Sequence, residues 1–316
     1  GNKYTAFRSS VNSGSTAGPA VIPNNASPVY IGNFNLGDNR SFSCDIGEVV
    51  IYKNTLTAPV RLVVENYLSQ KYSIGIGAND LFGNDAMYSS AFVENLTGIG
   101  SVDGTVKRTE GVSESLHLRE ADNSLDNNEF IFFAHDGTAH ASGVVTNLGE
   151  PEITSRWARS WYLESTFNGS VDAGSIAANL VFDFATAGLP FTGNAGDYVL
   201  IYRDNAVGNF SRVVATSYAV EAGTRLVVSV SANRLKTGYY TIALGSQLTA
   251  NTWYVFQDGN WSDPNTWTLD ASVTPIYNNP GSAIPGPYDD VLIRSGRTVT
   301  IQPVTNNIII NSIEVR

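Results

Sequence analysis

Oxygen-bearing side chains are concentrated in one short segment of the sequence, at residues 120–129. Its proposed metal ligands are Asp122, Asp126, Asn128 and Glu129. Calcium binds several oxygen ligands supplied by flexible loops, so Ca²⁺ binding is one interpretation. The spacing differs from that of an EF-hand loop. The alternative interpretation is a solvated turn between two strands. Asp289 and Asp290 form a second, smaller pair of the same kind.

Two histidines flank an aspartate in the next segment, where His135 and His140 lie five residues apart beside Asp136. A metal site would need both rings to converge with a third ligand, which this spacing across a turn does not guarantee. A turn with exposed histidines is the simpler interpretation, and it is favoured.

Three tryptophans, Trp253, Trp261 and Trp267, fall in a stretch rich in Gly, Asn and Asp. Exposed indole rings can stack on sugar rings, which would make these residues ligand-binding. The alternative is that they fill the core of a first β-solenoid rung, and this interpretation is favoured.

No catalytic motif accompanies these residues. The sequence has neither a Gly-x-Ser-x-Gly elbow nor a Gly-x-x-x-x-Gly-Lys-Ser/Thr phosphate loop. The single cysteine, Cys44, lies in apolar sequence without a nearby histidine, which favours a structural thiol. We therefore predict that the chain is not an enzyme and that it takes no cofactor other than Ca²⁺.

Length and charge restrict the partners. The chain has 316 residues, enough for two or three domains, with a formal net charge of −10. Lys and Arg form no cluster, which excludes nucleic acid as a partner. No apolar stretch is long enough to insert into a bilayer. One cysteine excludes an internal disulfide, and the composition favours a bacterial exported protein at the cell surface.

Short apolar runs between Gly, Asn, Asp and Pro predict strands almost everywhere. The exception is residues 57–72, where Val60, Val63, Val64 and Tyr67 have helical spacing behind a Thr-Ala-Pro start. Composition shifts divide the chain into units at 1–77, 78–248 and 249–316.

Residues 29–32 and 42–52, followed by the helix, resemble the C-terminal part of a laminin-G/concanavalin-A-like jelly roll. In such a fold Ile46, Val49 and Ile51 would be buried in strands. The segments 130–137, 156–164 and 238–245 are similar to a β-sandwich module of large Bacteroidetes-type surface adhesins. The segments 259–267 and 285–301 are similar to the first turns of an extracellular parallel β-solenoid. The predicted fold is thus all-β, with tandem sandwiches, a C-terminal segment of solenoid type and one short helix.

These features predict a non-catalytic, extracellular structural or adhesive segment of a large bacterial surface protein, one version of which forms filaments. Its partners would be other copies of itself, surface proteins or glycans. The alternative is a carbohydrate-binding accessory region of a secreted polysaccharide-degrading enzyme.

Overall fold

The computed structural model describes residues 3–8, 11–17, 45–83, 91–167, 174–302 and 308–316. Strands predominate in these residues, and the all-β class is confirmed. The first described strands, β1 (Lys3–Arg8) and β2 (Val11–Ala17), pair antiparallel. Cys44 and the motif at 29–32 lie outside the described residues, so the predictions made for them have no structural counterpart.

The predicted helix is present as α1 (Ala58–Tyr72). Thr57 has the extended backbone of an N-cap, without a capping hydrogen bond from its side chain, and Pro59 lies in the first turn. The helix ends at Ser73, whose left-handed backbone lets its N–H donate to the carbonyl of Ser69.

The buried face of α1 differs from the predicted apolar stripe. The buried residues are Pro59, Leu62, Val63, Asn66, Ser69 and Gln70, and only Val63 belongs to the stripe. Asn66 explains why the buried face is rotated away from the predicted stripe. Its side chain binds the backbone of residues 81–82, which crosses the helix. Its Oδ1 accepts from the N–H groups of Leu81 and Phe82 at 2.8 and 3.0 Å.

A sandwich of two antiparallel sheets forms the centre of the molecule. In spatial order, the first sheet contains β13 (Ser217–Glu221), β14 (Arg225–Val230), β10 (Ala178–Asp183), β6 (Leu116–Glu120) and β5 (Glu110–Ser113). The short helix α2 (Phe184–Ala187) follows β10 directly. In β14 buried and half-buried residues alternate, as expected for a strand with one face on the core.

The second sheet is larger. In spatial order it contains β12 (Ser211–Arg212), β11 (Tyr198–Arg203), β15 (Gly238–Gly245), β9 (Trp161–Phe167), β7 (Glu129–His135), β3 (Glu94–Ser101) and β4 (Lys107–Arg108). One more strand, β8 (Ile153–Arg156), pairs with the far end of β15. Aromatic and aliphatic side chains fill the space between the two sheets, with Trp161, Tyr240 and Phe182 fully buried.

The outer face of the second sheet is also covered, which makes a third layer. All seven residues of β7 are buried. Ile131 and Phe133 belong to the core between the sheets, whereas Phe130 and Phe132 pack with Leu62 and other residues of α1. The helix thus packs on the outside of the sandwich.

The segment before the helix departs from the predicted strands. Residues 45–52 form no regular strand, and Ile46, Val49 and Ile51 are exposed by 50, 50 and 77%. The expectation that these three residues are buried in strands is therefore wrong.

The C-terminal strands pair differently from the rest. They are β16 (Thr252–Val255), β17 (Gly259–Asn260), β18 (Trp267–Thr268), β19 (Asp290–Ile293), β20 (Val299–Thr300) and β21 (Ser312–Val315). β16, β19 and β21 stack in parallel, so that Trp253, Val291 and Ile313 lie in one row. β17 and β20 form a second parallel pair, and β18 adds to β16 antiparallel. Parallel stacking is the arrangement expected of successive rungs.

Candidate functional site

The four predicted calcium ligands lie around a turn between β6 and β7. Asp122 and Asn128 are exposed, and both have left-handed backbones. Glu129 is buried in β7, where its Oε2 accepts from the N–H of Asp126 at 2.8 Å. Among the described residues, no group of three or more His, Cys, Asp or Glu is placed to hold a metal ion. The structure does not bring these ligands together into such a site.

A protein cation lies at this turn. The ammonium of Lys107 is 2.8 Å from Oε1 of Glu120, and it donates to Oδ1 and the carbonyl oxygen of Asn123 at 2.8 and 3.2 Å. The amine thus binds oxygens of Glu120 and Asn123, two residues of segment 120–129 that are not among the four predicted ligands.

Asp289 and Asp290 act as structural acceptors. Asp289 accepts from Trp253 Nε1 at 2.9 Å and from the N–H groups of Asn251 and Gly286 at 2.8 Å each. The carboxylate of Asp290 accepts from Arg234 Nη2 at 2.7 Å. Both carboxylates are occupied by donors of the protein.

The tryptophans of the C-terminal segment are core residues. Trp253, Trp261 and Trp267 are 2, 5 and 0% exposed, and the rings of Trp261 and Trp267 pack edge to face at 4.9 Å. Trp267 Nε1 donates to the carbonyl of Trp261 at 2.8 Å. Stacking of these indoles on a sugar is excluded by their burial, which corrects the ligand-binding prediction in favour of the core interpretation.

The histidines belong to a polar cluster at one end of the sandwich. Its centre is Glu114, at the tip of the β5–β6 hairpin with φ 51°. One carboxylate oxygen accepts from Asn95 Nδ2 at 3.0 Å, and the other pairs with Arg159 and lies 3.3 Å from His140 Nε2. His135 Nε2 lies 3.7 Å from the first oxygen. The prediction of exposed histidines is wrong, because the side chains of His135 and His140 are 3 and 15% exposed.

Burial and hydrogen bonding favour the neutral form of both imidazoles. Burial lowers the pKa of His135, against the opposing effect of Asp136 and Glu94, and it lowers the pKa of His140 as well. His135 Nδ1 accepts from the N–H of Gly137 at 3.0 Å. His140 Nε2 lies 2.9 Å from Arg159 Nη1, which can only donate.

The cluster lacks the geometry of a catalytic triad, although Ser115, His140 and Glu114 are adjacent. Ser115 Oγ and the Glu114 carboxylate both approach His140 Nε2, each at 3.3 Å. A triad places the acid on the opposite nitrogen, and Nδ1 of His140 has no hydrogen-bond partner among the described residues. Ser115 is fully buried. What the cluster does is tie the loop after β7 to the loop before β9, since Arg159 Nε also donates to the Thr138 carbonyl.

Next to this cluster lies an aromatic-lined cavity of about 270 Å³. Its walls include Trp157, Phe184, Phe191 and Tyr198. The ring centroid of Trp157 also lies 6.0 Å from that of His140. Phe184 packs against Trp157, Phe191 and Tyr198 at 4.7, 4.6 and 5.1 Å between centroids.

The cavity combines flat apolar walls with a polar margin. Phe191 is half-buried and Thr192 is exposed, whereas Trp157 and Tyr198 are each 3% exposed. Ser142 and Ser155 supply hydroxyls at the margin. Phe191 is the aromatic wall with substantial exposure, so a small ring with one apolar face could stack on it.

Neither the cavity nor Glu114 was predicted from the sequence. The walls of the cavity come from four separate segments of the chain. The only signal for them in the sequence is the high aromatic content. Trp157 and Trp161 are core residues of the sandwich. The left-handed backbone of Glu114, between two serines in a hairpin turn, has no signature in residue type.

No protein-family model matches the chain, and a search of curated proteins finds no relative. Within the part of the chain that the structure describes, no helix has the length and apolar character required to cross a membrane.

Proposed function

We propose that this chain is a non-catalytic structural and adhesive segment of a large bacterial surface protein, exposed outside the cell. The observation that carries the proposal is the way in which two β units of different construction are joined in series. A surface stalk or fibre needs such joints to keep their geometry, because a flexible linker would let neighbouring units fold back on each other.

The joint is fixed by several hydrogen bonds. The connection 246–251 separates β15 from β16. Gln247 Nε2 donates to the carbonyls of Ala195 and Tyr198 at 2.8 and 3.0 Å. Arg234 of the sandwich reaches across to Asp290 in β19 and to the carbonyl of Tyr288. With only 9% of the Arg234 side chain exposed, this ion pair is shielded from solvent more than a surface pair is.

Surface exposure of the natural protein is the test. Antibodies raised against the purified chain should label intact cells that express the natural protein, and the purified chain should bind to those cells or to itself. Labelling that appears only after permeabilisation would contradict the proposal, as would a purified chain that remains monomeric and binds no cell or glycan.

Carbohydrate binding is the second candidate, and the aromatic cavity favours it. The purified chain should bind a polysaccharide or oligosaccharide on a glycan array, and Phe191→Ala should weaken that binding about two- to tenfold, since an aromatic contact contributes about 0.5–1.5 kcal/mol. The control is Tyr277→Ala, which removes a ring that is 39% exposed in the C-terminal segment. If Phe191→Ala and Tyr277→Ala bound the glycan equally well, the sugar would bind at another surface of the chain.

A further inference from the structure

Lys107 of β4 meets Glu120 and Asn123 where β6 leads into the turn before β7. Asp122 and Asn123 both have positive φ, 58° and 54°, and the N–H of Ser124 donates to the carbonyl of Ala121. This is the backbone of a type I′ turn, in which Asp and Asn are favoured residues. The turn fixes the carboxamide of Asn123 relative to the neighbouring strand.

Lys107 contacts the side chains of both Glu120 and Asn123. Lys107 Nζ lies 2.8 Å from Oδ1 of Asn123 and 2.8 Å from Oε1 of Glu120. The amine is therefore adjacent to a carboxamide carbon and to a carboxylate that can accept its proton. Reacting groups held at about 3 Å gain a large effective concentration, which is the main requirement for a slow intramolecular reaction.

Burial distinguishes this amine from another lysine in an ion pair. The side chains of Lys107 and Glu120 are 10 and 7% exposed. Lys71 also pairs with a carboxylate, Glu48 at 3.0 Å, but it is 44% exposed and its other described partner is the hydroxyl of Tyr67. Lys71 thus provides an internal control, with the same charge pair and no described carboxamide contact.

We propose that Lys107 and Asn123 are joined by an intramolecular amide bond, with Glu120 transferring the protons. Glu120 takes a proton from the ammonium, and the neutral amine attacks Cγ of Asn123. The Nζ–Cγ bond forms and the Cγ–Nδ2 bond breaks. Nδ2 leaves as ammonia with a proton relayed through Glu120, and it takes up the remaining proton as ammonium. No oxidant or reductant is needed, and the Glu120 carboxylate is regenerated.

The cross-link would close a loop from β4 to the turn after β6, so that this corner of the sandwich could not separate on unfolding. The inference does not depend on the proposed function, since it concerns three neighbouring residues of the sandwich, of which Asn123 is exposed.

Intact-mass measurement of the purified full chain tests the proposal. The expected mass is lower than that of the sequence by one ammonia molecule. Proteolysis followed by tandem mass spectrometry should give a branched peptide that joins Lys107 to Asn123. A mass equal to that of the sequence would overturn the proposal.

Three variants identify the source of a mass loss. Lys107→Arg keeps the positive charge but removes the nucleophilic amine, and Glu120→Gln keeps an acceptor for the Leu125 N–H, which donates to Oε1 at 2.8 Å. Each of these two variants should have the mass calculated from its own sequence, with no loss of ammonia. Each should also retain the far-UV circular dichroism of the parent. Lys71→Arg should still lose ammonia. If Lys107→Arg also lost it, the loss would come from elsewhere, for example ring closure of an asparagine on its own backbone, and the proposal would fail.

Discussion

In the central sandwich, neighbouring strands run antiparallel, and the space between the sheets holds aromatic and aliphatic side chains. In the C-terminal segment, β16, β19 and β21 run parallel, and the buried carboxylate of Asp289 binds the indole of Trp253. The two regions therefore form strands from the same kinds of residue but hold them in register by different interactions.

The difference follows from chain connectivity. Strands β13 and β14 are consecutive in an antiparallel sheet, and their turn determines their register. Thr252 pairs with Asp290, and Asp290 with Ser312, so each parallel contact closes a long connection. Parallel strands cannot be joined by a tight turn. In this segment specific side chains supply the register: Asp290 binds Asn311 and Ser312 of the next rung at 2.7 and 2.5 Å.

The largest expected effects come from removing one core tryptophan in each region. Trp161→Ala should destabilise the sandwich by about 4 kcal/mol, because it opens a cavity and leaves the carbonyl of Ser113 without its donor. Trp267→Ala should cost about as much, but only in the C-terminal segment. Hydrogen exchange measured by mass spectrometry should show lost protection in β16, β19 and β21 for the second variant, with the sandwich unchanged.

Val273→Ala, at a side chain that is 97% exposed, is the matched control and should change neither region. If Trp267→Ala loosened β7 and β15 as strongly as β19, the two regions would unfold as a single unit and the contrast between them would be broken.

Buried carboxylates give the next largest effect. Asp289→Asn should destabilise the C-terminal segment by about 2–3 kcal/mol, because an amide cannot accept from all three of the donors that this carboxylate binds. The sandwich counterpart, Asp183→Asn, should cost less, about 1–2 kcal/mol, since it keeps an acceptor for the Thr186 N–H and the Arg225 side chain that it would lose as an ion-pair partner is 33% exposed. Urea denaturation of both variants measures the two losses in the free energy of unfolding. If Asp183→Asn lost more than Asp289→Asn, the parallel region would not depend more than the sandwich on side-chain anchors.

The smallest effect is a difference in acid sensitivity. In the sandwich, burial lowers the pKa values of His135 and His140, so the unfolded chain binds protons more readily, and stability falls as the pH drops below about 6.5. In the C-terminal segment, burial alone would raise the pKa of Asp290, but hydrogen bonds from Ser312, Asn311 and Arg234 outweigh it and lower the pKa. Its contribution is present above about pH 4 and is lost as the pH falls further.

Urea midpoints at about pH 7.5 and 5.5 should therefore differ for the sandwich and not for the C-terminal segment. His140→Gln, which keeps an acceptor for Arg159 but does not titrate near these values, should reduce the difference. A sandwich midpoint that is independent of pH in this range would contradict the assignment of two buried neutral histidines.

Local patterns in the sequence predicted much of the fold. The alternation in β14 and the Thr-Ala-Pro start of α1 follow from backbone and side-chain preferences over a few residues, and both are present in the structure. The apolar run of β7 was recognised, but its burial on both faces depends on α1, which lies some sixty residues earlier and packs over the sheet. Such contacts between distant segments leave no local pattern.

The candidate sites show the same limit more strongly. Residue type identified Trp253, Trp261 and Trp267 as important, but a sequence does not tell whether an indole points into the core or towards solvent. The histidines were expected at an exposed turn, and the loop that carries His140 instead folds back against Trp157 and Trp161. The cavity walls meet only because the second sheet, α2 and the loops at 142–143 and 190–192 converge at one end of the sandwich.

The placement of the tryptophans also has an optical consequence. All five indoles of the chain are buried, two in the sandwich and three in the C-terminal segment. Emission from the folded chain should therefore be shifted to short wavelength, and each region carries its own chromophores. Trp261 and Trp267, at 4.9 Å and 69°, are close enough for their excited states to couple, which would give the C-terminal segment a near-ultraviolet dichroism signal of its own.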